Sequence, residues 1–328
     1  MKFTEEYMQK LSAPLNIMAE SRCKNALNNV SAALKDVGYS HTASGELRQL
    51  FSESYSYVIE MSNGYGGRTI RIFTQGSYAN NTNIEKTSDV DMAVVLESTF
   101  IMEKPQMFFL ESGSQVRERY KFSTSDDSAI KLKDDVVDAL QRYFGYLEVI
   151  RKNKSVKIKG NSTRTDCDTV PAIRNRDYTN DNYINENNYI GGIQIHSDDG
   201  DIIINYPEQH IENGVAKNNR TNFNYKKCVR ALKNIRELMH EHGYNISSDI
   251  SSFGLESLFW NASDAAYKRY SSLLFVFEDV LIDLENKKFS WSGFTEANGI
   301  KPLFNYTTQV NYIRFFDELR KFFKYDIN

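Results

Sequence analysis

The chain has 328 residues, 41% apolar and 25% charged, with 20 Tyr, 20 Phe and only 5 Pro, the composition of a folded protein of one large or two ordinary domains. A net charge of −3 excludes a general basic coat for long DNA or RNA but allows a local basic pocket. Cys23, Cys167 and Cys228 form no CxxC pair and fit reduced thiols. "MKFTEEYMQKL" has no apolar signal core, and no run approaches the roughly 18 apolar residues of a membrane span. A cytoplasmic location without a membrane partner is therefore expected.

Residues 15–38 read as a long amphipathic helix, with Cys23, Leu27, Val30, Leu34 and Val37 at spacings of three and four and Gly38 as its stop. Leu47, Phe51, Tyr55 and Val58 predict a second helix over about 44–61, broken by "NGYGG" at 63–67. The texture then turns to strands: "RTIRIFT" (68–74) and the apolar run "VDMAVVL" (90–96). A helix is expected over 128–146, then strands in "SVKIKG" and "RTDCDTVPAI" and a hairpin around Asp199-Gly200. From about Gly214 onward the pattern is helical, with Tyr225, Val229, Leu232, Ile235 and Met239 on one face. "SFGLESLFW", residues 267–288 and residues 311–325 give three further helices.

Chemistry concentrates in "QGSYANNTNIEKTSDVDMAVVLE", residues 75–97. Gly76-Ser77 follows a strand directly. A glycine lets backbone N–H groups approach an anion, and Ser77 adds a hydroxyl, although such a pair is also common in plain turns. Asp89 and Asp91 stand at i and i+2, so on a strand they share a face. Two carboxylates about 4 Å apart repel by roughly 4 kcal/mol at an effective dielectric of about 20, a cost that a hard divalent cation turns into a binding site. The same spacing recurs at Asp166/Asp168 and at Asp199/Asp201, the last in the expected hairpin turn, so spacing alone does not select a site. Either Asp166 or Asp168 could add a third acid, and three acids with no Lys or Arg among them would call for metal. Lys226, Arg230 and Lys233 lie at i, i+4 and i+7 on one flank of a helix, in a stretch from Gly214 to Arg236 free of acids. A solvated basic face is the plain alternative. For Phe253 the plain alternative is a core residue.

Gly76-Ser77, then Asp89-Val90-Asp91, then Asp168 in "DTVPAI" resemble the polymerase-β-like nucleotidyltransferases, and within them the CD-NTase family of bacterial cyclic-oligonucleotide synthases, relatives of cyclic GMP-AMP synthase and oligoadenylate synthase. In that family the third acid stands three residues before the Pro of a Val-Pro pair, which selects Asp168 over Asp166. The resemblance continues through "NYKKCVRALKNIRE", implying Lys233 as a triphosphate ligand flanked by Lys226 and Arg230. It also runs through "DISSFGLESLFWN", implying Ser252 on phosphate and Phe253 stacked on a base. Two departures stand out: Asn81-Thr82 replaces the usual Gly-Thr, and the C-terminal "KYDIN" lacks the small terminal residue that some members use for conjugation.

The resemblance implies an α+β polymerase-β-like core with a long N-terminal helix (1–213), a C-terminal helical domain (214–328) and a cleft between them. The implied reaction is metal-dependent synthesis of a cyclic di- or trinucleotide second messenger, with pyrophosphate released, in bacterial anti-phage signalling. Asp89, Asp91 and Asp168 would be catalytic and metal-binding, with two Mg²⁺ ions or Mn²⁺ in their place. Gln75, Gly76, Ser77, Lys226, Arg230, Lys233, Ser252 and Phe253 would bind nucleotide. ATP and GTP, with UTP or CTP as further candidates, would be substrates of a monomeric enzyme whose product acts on a separate effector; no stable partnership with long nucleic acid is expected. The alternatives are a nucleotidyltransferase acting on an RNA, protein or small-molecule acceptor, and a catalytically silent nucleotide-binding relative.

Overall fold

The computed structural model describes residues 3–14, 17–52, 54–64, 67–84, 89–123, 129–161 and 164–324. Helices α1 (Glu5–Ser12) and α2 (Ile17–Lys35) lead into β1 (Tyr39–His41), β2 (Arg48–Gln49), β3 (Tyr57–Asn63), β4 (Arg68–Thr74), the short α3 (Gly76–Ala79) and β5 (Val90–Glu103). Next come α4 (Gly113–Arg119), α5 (Ala129–Phe144), β6 (Val149–Arg151), β7 (Val156–Ile158), β8 (Cys167–Asp177), β9 (Ile190–His196) and β10 (Ile202–Asn205). The remainder is helical: α6 (Pro207–Arg220), α7 (Asn224–Glu241), α8 (Ser252–Trp260), α9 (Leu273–Asn286) and α10 (Tyr306–Phe322).

The ten strands among the described residues join one mixed sheet in the order β1-β3-β4-β5-β8-β7-β6, with β2 on β3, β9 on β8 and β10 on β9. The β5–β8 pair is parallel and its register sets Asp91 opposite Asp168. Strand alternation then sorts the side chains. Val90, Met92, Val94 and Leu96 pack with α2 and α5 in one core, while Ala93 and Val95 pack with Phe73, Ala172 and Ile193 on the other face. Asp91 and Asp168 share the parity of that second face, at the end of the sheet next to the helical lobe.

A separate core fills the helical lobe, built from α7, α8, α9 and α10 around Leu232, Phe259, Phe277, Trp291 and Phe316. Phe3, Met8 and Leu11, from the start of the chain and α1, are buried in this core and not beneath the sheet. The boundary expected at 213/214 falls inside α6, which begins with Pro207 at its first turn, a position where the missing N–H costs nothing.

The helix expected over 44–61 does not form; the segment holds β2 and β3. Ser54 Oγ donates to Phe51 O at 2.7 Å and Phe51 N to Ser56 Oγ at 3.2 Å, local bonds that compete with a helical ladder. Tyr57-Val58-Ile59 then pair with β4 through Val58↔Phe73 and Ile59↔Ile72. The helix expected over 267–288 begins only at Leu273, whereas that expected over 311–325 starts earlier, at Tyr306. Helix α1 carried too short an apolar pattern to be read from sequence. The hairpin at Asp199-Gly200 is present, with Ile203 opposite Ile195 and Gly200 at φ +94°. The ends of "NGYGG" are described but not residues 65–66, and residues 85–88 and 325–328, from "YANNTNIEKTS" and "KYDIN", lie outside the described residues.

Candidate active site

β4 ends at Thr74, and Gln75 N bonds Asp91 O at 2.9 Å, which ties the turn to the neighbouring strand. Gly76 follows at φ +69°, and a Cβ placed there would stand 2.8 Å from Asp91 Oδ2. Glycine is required on both counts, since an L side chain would strain the backbone and strike the carboxylate. The same turn places Ser77 at the cleft. Asn81 explains the departure from Gly-Thr: it has φ +54°, a left-handed conformation that asparagine tolerates better than most non-glycine residues. Thr82 is fully buried.

The three acids line one wall of a cleft of about 510 Å³, with Gly76 and Ser77 beside them. Burial, then the like charges of Asp168 and Asp89, push the Asp91 carboxyl up to about 7. Two lysines stand among the acids, contrary to the sequence expectation. Lys157 Nζ is 3.0 Å from Asp89 Oδ2, and Lys152 Nζ is 2.9 Å from Asp168 Oδ1. Both come from the β6–β7 hairpin, which pairs with β8 so that Lys157 lies opposite Asp168. Asp166 is engaged elsewhere, by Lys157 at 2.5 Å and by the backbone N–H of Gly160, and it does not line the cleft.

As they stand, no three acidic, histidine or cysteine side chains among the described residues are grouped to hold an ion. The donors are nonetheless of the right kind for a hard divalent cation: they are carboxylate oxygens, and Asp91 is held in excess negative charge. An ion would take over from Lys152 and Lys157 the neutralisation that these lysines supply.

The opposite wall comes from the helical lobe. Lys233, Ser252 and Phe253 line the cleft with His210 and Glu256. Phe253 is 39% exposed, so it is not a core residue; its ring stands edge-on to His210 at 5.1 Å. Ser252 Oγ accepts from Arg236 Nη2 at 3.1 Å. Lys233 is 1% exposed and donates to Thr82 O at 3.0 Å and to Glu256 Oε2 at 3.1 Å. Glu256 also accepts from Thr82 Oγ1 at 2.6 Å and contacts His210 Nε2 at 2.9 Å. Burial alone would raise the Glu256 carboxyl, but Lys233 and His210 outweigh it and hold it far below the usual carboxylate range. Burial lowers the Lys233 ammonium, with Glu256 opposing.

The expected basic flank is buried and not solvated. Lys226 and Arg230 are 3% and 5% exposed, and neither lines the cleft. Arg230 donates to Ser12 O at 2.6 Å and to Asn81 O at 2.5 Å, so it ties α7 to the end of α1 and to the Asn81 turn.

A second hollow of about 350 Å³ shares Gly76, Asp91, His210 and Phe253 with the first and continues to Gln75, Asn205, Tyr206, Glu296 and Asn298. Sequence reasoning missed His210, Glu256, Thr82 and this far end. One signal was present: Glu256 is the only charge in the otherwise apolar "SFGLESLFW". Cys23, Cys167 and Cys228 are all buried, and burial pushes the Cys23 thiol up to about 12, so none is poised as a nucleophile.

A mixed sheet that carries paired carboxylates beside a Gly-Ser turn, closed by a helical lobe, defines a nucleotidyltransferase of the polymerase-β-like type. Comparison with known proteins agrees. The profile described as the cGAS/DncV-like nucleotidyltransferase C-terminal helical domain matches residues 212–324. The chain is 40% identical over 326 residues to a protein of Staphylococcus schleiferi named cyclic GMP-AMP synthase CdnE03, covering 99% of this chain and 98% of the relative. It is 35% identical to a cyclic dipyrimidine nucleotide synthase CdnE of Cecembia lonarensis, over 72% of this chain and 76% of that one. The solved structure of Rhodothermus marinus CdnE c-UMP-AMP synthase with Apcpp and Upnpp superposes with a TM-score of 0.75 at 26% identity, covering 98% of this chain and 97% of that one. This chain belongs to the cGAS/DncV-like nucleotidyltransferase (CD-NTase) family. No helix among the described residues is long and apolar enough to cross a membrane.

Proposed function

We propose that this protein joins nucleoside triphosphates into a cyclic di- or trinucleotide and releases pyrophosphate at each linkage. The observation that carries the reading is the pairing of Asp91 with Asp168 across β5 and β8 on the cleft side of the sheet, facing Ser252 and Phe253 across the same cleft. Relatives named for cyclic GMP-AMP and cyclic dipyrimidine products support the reaction class and differ in base.

In this reading Gly76 and Ser77 hold the donor triphosphate, with Ser252 and Lys233 beside them. Lys233 reaches phosphate by exchanging a contact with Thr82 or Glu256. Phe253 stacks on a base, a contact that every base can make. Lys226 and Arg230 act at a distance, by fixing α7 against the Asn81 turn. Asp89, Asp91 and Asp168 would hold two Mg²⁺ ions, or Mn²⁺ in their place, which when bound neutralise the triphosphate and favour an ionised acceptor hydroxyl. The acceptor 3′-hydroxyl attacks the donor α-phosphorus, the bond from that phosphorus to the bridging oxygen of pyrophosphate breaks, and the hydroxyl proton passes to Asp168. A second such step closes a dinucleotide ring, and a third closes a trinucleotide ring.

Residues 1–213 form the nucleotidyltransferase core and 214–328 the helical domain, with α1 packed on the latter. The product acts on a separate effector in bacterial anti-phage signalling, and the enzyme works as a cytoplasmic monomer. Purified protein with Mg²⁺ and four labelled triphosphates should release pyrophosphate and yield a phosphatase-resistant product, while Asp89→Ala with Asp91→Ala should yield none. Unchanged product from the double variant would sink the assignment, and a product that forms only when an RNA or protein is added would point to a different acceptor.

A further inference from the structure

The far end of the second hollow carries a carboxylate of unusual placement. Glu296 lines it together with Asn298, Asn205 and Tyr206. Glu296 sits on a short loop closed by the bridge Thr295↔Pro302 and by Glu296 N donating to Lys301 O at 2.8 Å. Asn298 sets the loop: its Oδ1 accepts from the backbone of Ile300 at 2.8 Å and Lys301 at 3.0 Å, and its Nδ2 donates to Glu296 Oε2 at 2.6 Å. Lys301 then fastens the loop to β10, donating to Ile204 O at 3.0 Å and to Asn205 Oδ1 at 3.3 Å. The carboxylate is thus held in place, with Oε1 unpartnered among the described residues.

No lysine, arginine or histidine among the described residues forms an ion pair with Glu296; the Lys301 ammonium on the same wall is taken up by Ile204 O and Asn205 Oδ1. In the proposed reaction the phosphates lie toward Ser77 and the three aspartates, which leaves the base toward Glu296. A carboxylate offers only acceptors, so it suits a base edge that presents two donors side by side. Guanine does so, through N1–H and the N2 amine. Adenine and cytosine set a ring-nitrogen acceptor beside their amine, and uracil flanks its single N–H with two carbonyls, so each would put a lone pair against the carboxylate.

We infer that Glu296 is a specificity-determining residue that selects a guanine nucleotide in this hollow through its base edge, with Asn298 as its positioning residue. Asn205 is the complementary donor. Its Oδ1 faces Lys301 and its Nδ2 has no partner among the described residues, which suits guanine O6. The inference rests on the proposed reaction, since the hollow must hold a nucleotide.

The test is equilibrium binding of non-hydrolysable α,β-methylene analogues of GTP, ITP and ATP to the full chain with Mg²⁺. Wild type should prefer the GTP analogue to the ATP analogue by about 10- to 100-fold, the discrimination of one bidentate contact. Inosine, which lacks the N2 amine, should lose most of that preference with no change to the protein. In Glu296→Gln the preference should collapse while affinity for the ATP analogue stays within about threefold, a ratio that a merely structural role would not move. Equal binding of the three analogues by wild type, or an unchanged preference in Glu296→Gln, overturns the inference and leaves the proposed synthase intact if a phosphatase-resistant product still forms. Failure of wild type to bind any triphosphate overturns both.

Discussion

The two walls of the cleft use charge in opposite ways. On the sheet side, Asp89, Asp91 and Asp168 stand part-exposed at strand ends, two of them paired with lysines from a neighbouring hairpin. On the helical side, Lys233, Glu256 and His210 are almost wholly buried and bond one another and the Asn81-Thr82 turn. The first set can exchange partners with a substrate. The second ties the walls together, because a buried charge that loses all its partners is costly; Lys233 has both Thr82 and Glu256 as acceptors and can trade one contact while it keeps the other. Chemistry and closure are divided between the two faces, and Thr82, six residues after Gly76 in the same loop, bridges them.

Breaking the buried tie should have the largest effect. Glu256→Ala leaves the buried Lys233 ammonium without its counter-charge and should destabilise the fold by about 3–5 kcal/mol, read from urea unfolding, before any loss of chemistry is considered. Gly76→Ala acts on the other wall: an L residue at φ +69° costs about 1–2 kcal/mol and should lower the melting temperature by a few degrees, while kcat falls by at least about a hundredfold, because displacement of Asp91 misaligns the reacting groups. Phe253→Ala should raise the KM for triphosphates by about tenfold, the value of one stacked base, with Phe253→Tyr recovering most of it.

The smallest effect is one of pH. Glu256 is held well below its ordinary 4.5 in the folded state, so the stability contributed by its charge is complete above that value and is lost as pH falls beneath it. Replacement by Gln should make the acid limb of the stability profile shallower in calorimetry, with little change in slope at neutral pH.

The difference between the walls also decides what the sequence could reveal. The acidic wall is local: an Asp-x-Asp pair entering an apolar run tells of one strand face, and residues 90–96 lie in β5 as expected. The alignment of Asp91 with Asp168 is a matter of register between strands far apart in the chain, and only the Val170-Pro171 pattern pointed to it. Lys152 and Lys157 escaped notice because they reach the acids across a hairpin whose pairing no local pattern specifies. The helical wall is non-local throughout. Arg230 reads as a surface cation by spacing, and only packing against Ser12 and Asn81 buries it. Residues 44–61 failed for a related reason: their apolar spacing is helical, but local serine bonds and pairing with β4 prevail.

The choice of third acid tests the central claim most directly. Asp168→Asn and Asp166→Asn should be compared side by side for conversion of labelled triphosphates to phosphatase-resistant product. The reading predicts a loss of at least about a thousandfold for Asp168→Asn, as expected for a group at the reacting atoms, and activity within about tenfold of wild type for Asp166→Asn, which lies outside the cleft. An inactive Asp166→Asn beside an active Asp168→Asn would contradict it.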